Sequence, residues 1–166
     1  MAHQFDPNAV EIISTDADNT IAWMSNVFVQ VRTGKMTIDA VKRLESAARL
    51  LRVRSSGPVG AIAVLENGAE VVSGKVRDAQ RGAVMSLMQD PRTFMTAVIA
   101  GDGVKATLLR SVTRFVAPKM PRLHSAVDLI HASEWLAKAL GGEHSASELL
   151  ALVEHVRAVA RKNASK

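Results

Sequence analysis

Gly101-Asp102-Gly103 is the spacing in this chain best suited to holding a ligand. It sits in the stretch Phe94 to Arg114, FMTAVIAGDGVKATLLRSVTR, where an apolar run meets a tight turn and then an amphipathic segment whose charges are all basic. A parallel strand ending in such a turn, with a helix starting behind it, offers free N–H groups and the positive end of a helix dipole to an anion. Lys105, Arg110 and Arg114 follow, so the expected ligand-binding set is Gly101, Asp102, Gly103, Lys105, Arg110 and Arg114. A phosphorylated small molecule or an acidic lipid headgroup would suit it. The spacing is neither a full dinucleotide fingerprint nor a Walker loop, and Asp102 would repel an anion, so a plain tight turn is the competing reading.

Other chemistry finds less support. The five histidines, His3, His124, His131, His144 and His155, include no pair at the i, i+4 spacing of helical metal ligands, and they read as structural or surface residues. His124 and His131 would meet only if the fold arranged it. No serine stands in a strained G-x-S-x-G turn, so nucleophilic catalysis has no motif behind it. The absence of cysteine removes disulfides, thiolate chemistry and cysteine-based metal sites. We expect no enzyme activity, no metal and no cofactor.

Charge is unevenly placed. The net value of +5 divides into −4 over the first 31 residues and +9 over the remainder. Between Asp102 and Asp128 five basic residues, Lys105, Arg110, Arg114, Lys119 and Arg122, occur without an acid. A single-sign run of this kind attracts an acidic partner, an anionic lipid surface or nucleic acid. Only Phe115 lies among these residues to stack on a base, which ranks nucleic acid last and favours a solvated helix face.

At 166 residues the chain has the size of one domain. No uncharged apolar run reaches the roughly 18 residues a membrane span needs, and MAHQFDPN has neither the basic start nor the apolar core of a signal peptide. The expectation is a soluble cytoplasmic protein.

The elements that must carry the turn follow from periodicity. Val10 to Thr15 reads as a short strand. Thr20 to Val31 reads as a second, antiparallel to the first, with Ser25-Asn26 as a bulge or kink and Val27, Val29 and Val31 alternating against Phe28, Gln30 and Arg32. Thr37 suits a helix N-cap, with Met36 stapled onto Val41 and Ile38, Val41, Leu44, Ala48 and Leu51 facing inward. Val59 to Leu65 is a central parallel strand. Asn67-Gly68 signals either a hairpin returning over Ala69 to Val72 or a loop; the loop is favoured because Ser73 lies directly ahead of a helical pattern through Val76, Ala79, Ala83 and Leu87. Phe94 to Ala100 is the next strand, followed by a helix with Val104, Leu108, Val112 and Phe115 inward. A brief strand falls around Arg122 to His124. Ser125 to Asp128 forms a capping signal for a helix ending at Gly141-Gly142, and Ser145 with Glu148 a capping box for a last one. Met85, Met88 and Met95, with Trp23 and Trp135, read as core. The fold class is thus α/β: a single mixed β-sheet of four to five strands, the first two antiparallel, with helices mainly on one face and an extra C-terminal helix. Residues 1–9 are a flexible N-terminus, 10–142 the domain, 143–162 the amphipathic C-terminal helix and 163–166 a frayed tail. That last helix packs back on the sheet or docks on a second copy, the first being favoured.

In this order the segments FVQVRTGKMTIDAVKRL, VGAIAVL, TAVIAGDGVKATLLRSV and LHSAVDLIHASEWLAKAL resemble the STAS-like domains, named for sulphate transporters and anti-sigma-factor antagonists. The likeness covers roughly Thr20 to Leu140. It implies a non-enzymatic regulator or scaffold that binds another protein; a homodimer is the form that docking of the last helix on a second copy would give. In some members a serine where the central strand meets its helix is phosphorylated. Ser73, followed by Gly74, is the nearest position here, although Glu66 to Val72 separate it from the strand where the family has a compact turn. A helix N-cap is its plainer role.

Overall fold

The computed structural model describes residues 4–72, 74–101, 107 and 120–166. Six strands form one sheet in sequence order: β1 (Glu11–Thr15), β2 (Asn19–Met24), β3 (Val27–Arg32), β4 (Val59–Leu65), β5 (Thr93–Ile99) and β6 (Leu123–Ala126). The first three pair antiparallel, and β3 to β6 run parallel. The helices described are α1 (Ile38–Arg54), α2 (Gly74–Met88), α3 (Leu129–Ala139) and α4 (Ala146–Ala164). The mixed α/β sheet with antiparallel first strands is as expected, and β5 lies inside it between β4 and β6.

The strand count exceeds four to five because Ser25-Asn26 is not a kink. The chain reverses there, pairing Met24 with Val27 and Trp23 with Phe28. Ser25 takes φ 55, an uncommon conformation for a residue with a Cβ. The turn is held from outside. Asn26 Nδ2 donates to Pro58 O and to Glu143 Oε2, both at 2.8 Å.

Nor do the helices lie mainly on one face. Ile21, Trp23 and Phe28 pack under Leu44, Ala47, Ala48 and Leu51 of α1 and Leu87 of α2. On the opposite face Val27, Val29, Val31, Ile62 and Val64 pack with Leu136 and Leu140 from α3 and its cap, and with Leu149, Leu152 and Val153 of α4. Coverage on both sides explains why every residue of β2 and β3 is buried. The last helix therefore docks within the chain, as favoured.

Local signals set most boundaries. Thr37 Oγ1 accepts from Ala40 N at 3.1 Å and Ser145 Oγ from Glu148 N at 3.1 Å, each starting a helix. Gly141 and Gly142, at φ +72 and +81, end α3 in the left-handed region that a side chain disfavours. Asn67-Gly68 is a turn and no strand returns over 69–72. Three expectations change. Asp128, not Ser125, caps α3, accepting from His131 N, while Ser125 lies in β6. Ile38 sits one position inside α1 and is 38% exposed, since the stripe facing the sheet begins at Ala40 and Val41. Met85 points outward from α2, whereas Met88 is buried and Met95 half-buried.

Candidate functional site

Strands β3, β4 and β5 end level with one another, Arg32 beside Leu65 and Leu65 beside Ile99. Three connections consequently leave the sheet at one place. They are tied together by Glu66 N donating to Arg32 O at 2.9 Å, Ala100 N to Leu65 O at 2.8 Å and Glu70 N to Gly34 O at 3.0 Å. This is the carboxyl edge, where open α/β sheets take up ligands. Gly101 stands on it, as the sequence indicated. A Cβ at Gly101 would collide with Oδ1 of Asn67, so the turn after β4 abuts the turn after β5. Asp102, Gly103, Lys105, Arg110, Arg114 and Ser73 lie outside the described residues, as does the helix expected over 104–115 apart from Thr107.

Two charged groups at this edge escaped the sequence reading. Arg32 is the last residue of β3 and shares the face of Phe28 and Gln30, the side covered by α1 and α2. It is only 3% exposed, and its Nε and Nη1 have no hydrogen-bond partner among the described residues. Burial pushes the guanidinium below its usual range, and the charge of Glu70 works against that shift. Nearby, Gln30 Nε2 donates to Asn19 Oδ1 at 3.1 Å and Asn19 Nδ2 to Lys35 O at 3.0 Å, so the other buried polar groups of this corner are satisfied by each other. A charged residue closing the run VFVQVR was the available signal.

The second group is Glu66, which leaves β4 toward the opposite face and meets Arg157 of α4. Arg157 donates from both Nε and Nη2, the latter to Oε2 at 3.1 Å. Both side chains are nearly buried, at 13% and 14% exposed. Glu66 raises the Arg157 guanidinium above its usual range. Ninety-one positions separate the partners, and nothing local in the sequence joins them.

The four histidines among the described residues take structural places, and His3 lies outside them. His124 stacks on Trp135, ring centroids 4.8 Å apart and 8° from parallel, with Thr96 Oγ1 at 3.2 Å from its Nδ1. His131 pairs with Asp128 at 2.8 Å. His144 is buried between Glu148 Oε2, 3.0 Å from Nδ1, and Asn26 Oδ1, 2.7 Å from Nε2, fastening the start of α4 to the β2–β3 turn. His155 tilts against Phe5. Among the described residues no group of three or more His, Cys, Asp or Glu could hold a metal ion.

Opposite titration shifts follow for two of these rings. Burial, then the charge of His131, pushes His124 down, so its neutral form is the folded one and its contribution to stability is lost as pH falls below the ordinary histidine range. The hydrogen bond and charge of Asp128 raise His131, whose contribution is present in acid and lost as pH rises through its folded value. Ring-proton NMR titration is expected to place the His124 midpoint below that of His131; the reverse order would contradict the stacking and pairing described.

No family model, no curated protein and no solved structure matches this chain.

Proposed function

We propose that this chain is a non-enzymatic regulatory or scaffold module that works by contact with another protein in the cytoplasm, the role the STAS-like resemblance implies. The observation that supports this reading is on the outer face of α1. Val53 is 84% exposed and Leu50, one turn away, 46%. Arginines surround them in fixed positions: Arg43 on Asp16, Arg49 on Glu45 and Ser86, and Arg54 over the Trp23 ring, 5.0 Å from its centroid. An apolar centre rimmed by arginines that carboxylates of the chain hold in place suits a partner surface that is apolar in the middle and polar around it. A second copy of the chain is one such partner, since it presents the same apolar centre.

A photo-crosslinker placed at position 53 tests the reading. A discrete protein adduct, homodimeric or heteromeric, is expected, and Leu50→Glu should abolish it while changing stability by no more than about 0.5 kcal/mol, as for other exposed positions. Equal adduct yield from a control position on the outer face of α4, or an adduct that survives Leu50→Glu, would end the proposal.

The second reading is an anionic ligand or acidic lipid held at the turn from Gly101 to Lys105. Its support is that β5 is interior and delivers Gly101 to the carboxyl edge of the sheet. Among the described residues, no helix is long and apolar enough to cross a membrane.

A further inference from the structure

We propose that the carboxyl edge of the sheet on the α1 and α2 side, floored by Arg32, binds a phosphate group, either as the free ion or at the end of a small phosphomonoester. This site is separate from the outer face of α1 and does not depend on the partner proposed there. It also differs from the Gly101–Lys105 turn, because the group that would hold the anion stands at the end of β3.

An arginine carries five N–H donors and a charge that it keeps throughout the accessible pH range. The three donors on Nε and Nη1 of Arg32 are buried without an acceptor among the described residues. Buried cations are normally matched by an anion and buried donors by acceptors, because leaving either alone is costly. Among the described residues the carboxylate whose charge acts on it is Glu70, which is exposed and makes no ion pair with it. A positive charge is thus buried at a ligand-binding edge with no counter-charge in contact with it among the described residues.

The surroundings favour an anion over a second neutralising side chain. Both α1 and α2 begin at this edge, so the positive ends of two helix dipoles face the same region as the guanidinium. Apolar side chains from Met36, Ala40, Val72 and Val76, around the starts of α1 and α2, pack together, and a low dielectric at such helix starts strengthens charge-assisted hydrogen bonds. Phosphate, with up to two charges and several acceptor oxygens, satisfies these donors where a single planar carboxylate, such as the one already nearby, has not.

Phosphate titration of the full-length protein, followed through the Arg32 Nε–H resonance, is the direct measurement, with chloride at equal ionic strength as the screening control. The resonance is expected to move saturably with millimolar inorganic phosphate or glycerol phosphate, and Arg32→Met should weaken binding by at least about tenfold, one lost charge-assisted contact. Tighter binding of glycerol phosphate would identify a phosphomonoester as the ligand; tighter binding of inorganic phosphate would identify the free ion. A resonance unmoved by both anions, or a thermal shift on phosphate addition that Arg32→Met retains in full, would overturn the assignment. Because the resonance is read on the unaltered protein, a folding failure of the variant would not obscure the answer.

Discussion

Replacing Leu136 with alanine is expected to lower the unfolding free energy by about 3–5 kcal/mol, the upper range for removing a large aliphatic side chain from a core that cannot close over the gap. Leu136 has no exposed surface, and neither do Leu149 and Leu152 beside it. Its two methyl groups rest on β4 at Gly60, where an added Cβ would lie 3.0 Å and 3.1 Å from them. The glycine lets α3 approach the strand closely, and the leucine fills the space so made. Two rigid elements face each other across this contact, one a helix ended by its glycine pair and the other an interior strand paired on both sides, so neither can move in to close the cavity. Urea unfolding monitored by tryptophan fluorescence checks this, since Trp135 precedes Leu136 on the same helix. A loss below about 1 kcal/mol, the scale of a mild Ile-to-Val truncation, would show that α3 is not docked on β4 as described.

That contact also shows what in the sequence was readable. VGAIAVL could be placed as an interior parallel strand because a segment buried on both faces has no polar side to alternate with, and its small residues are those that admit a close helix. The caps Thr37 and Ser145 were readable for a similar reason, since each is satisfied within three residues of itself. The failures share the opposite property. Ser25 adopts a left-handed turn because Asn26 is held by Pro58, Glu143 and His144, groups that lie 32 or more positions away. Without those contacts SNVF reads as continuing strand, and the sixth strand disappears into the second. Placement of helices on both faces was hidden in β2 and β3, where Trp23 and Phe28 face one layer and Met24 and Val27 the other. Alternation set Arg32 apart from Val27, Val29 and Val31, but it gives the face of a side chain and not the depth of what covers it. Of the candidate site, the location at the end of β5 was readable, while the charged groups at the ends of β3 and β4 were not.

The other large effect belongs to the charge pair at that edge. Arg157→Met is expected to destabilise the protein by about 2–3 kcal/mol, somewhat under the ~3–5 kcal/mol of a fully enclosed pair, because Arg161 stands 3.8 Å from Glu66 and can move in. Glu66→Leu should cost a similar amount, eased in the same way by Glu154, which is 2.9 Å from Arg157. The cost in each case is chiefly that of the charge left behind, since the partners are shielded on one side by α4 and on the other by the end of β4. It follows that the double variant Glu66→Leu/Arg157→Met should be less destabilised than the sum of the singles by at least about 1 kcal/mol, the coupling expected of residues in direct contact. Guanidinium would screen these charges, so the cycle should be measured by urea unfolding at low salt. Additive losses would mean that Glu66 and Arg157 act independently, and α4 would then be held to the sheet by its apolar face alone. Coupled losses would make the pair a fixed strut between the C-terminal helix and the strand end beside Arg32, so that α4 fixes the geometry of the edge from the face opposite the proposed phosphate.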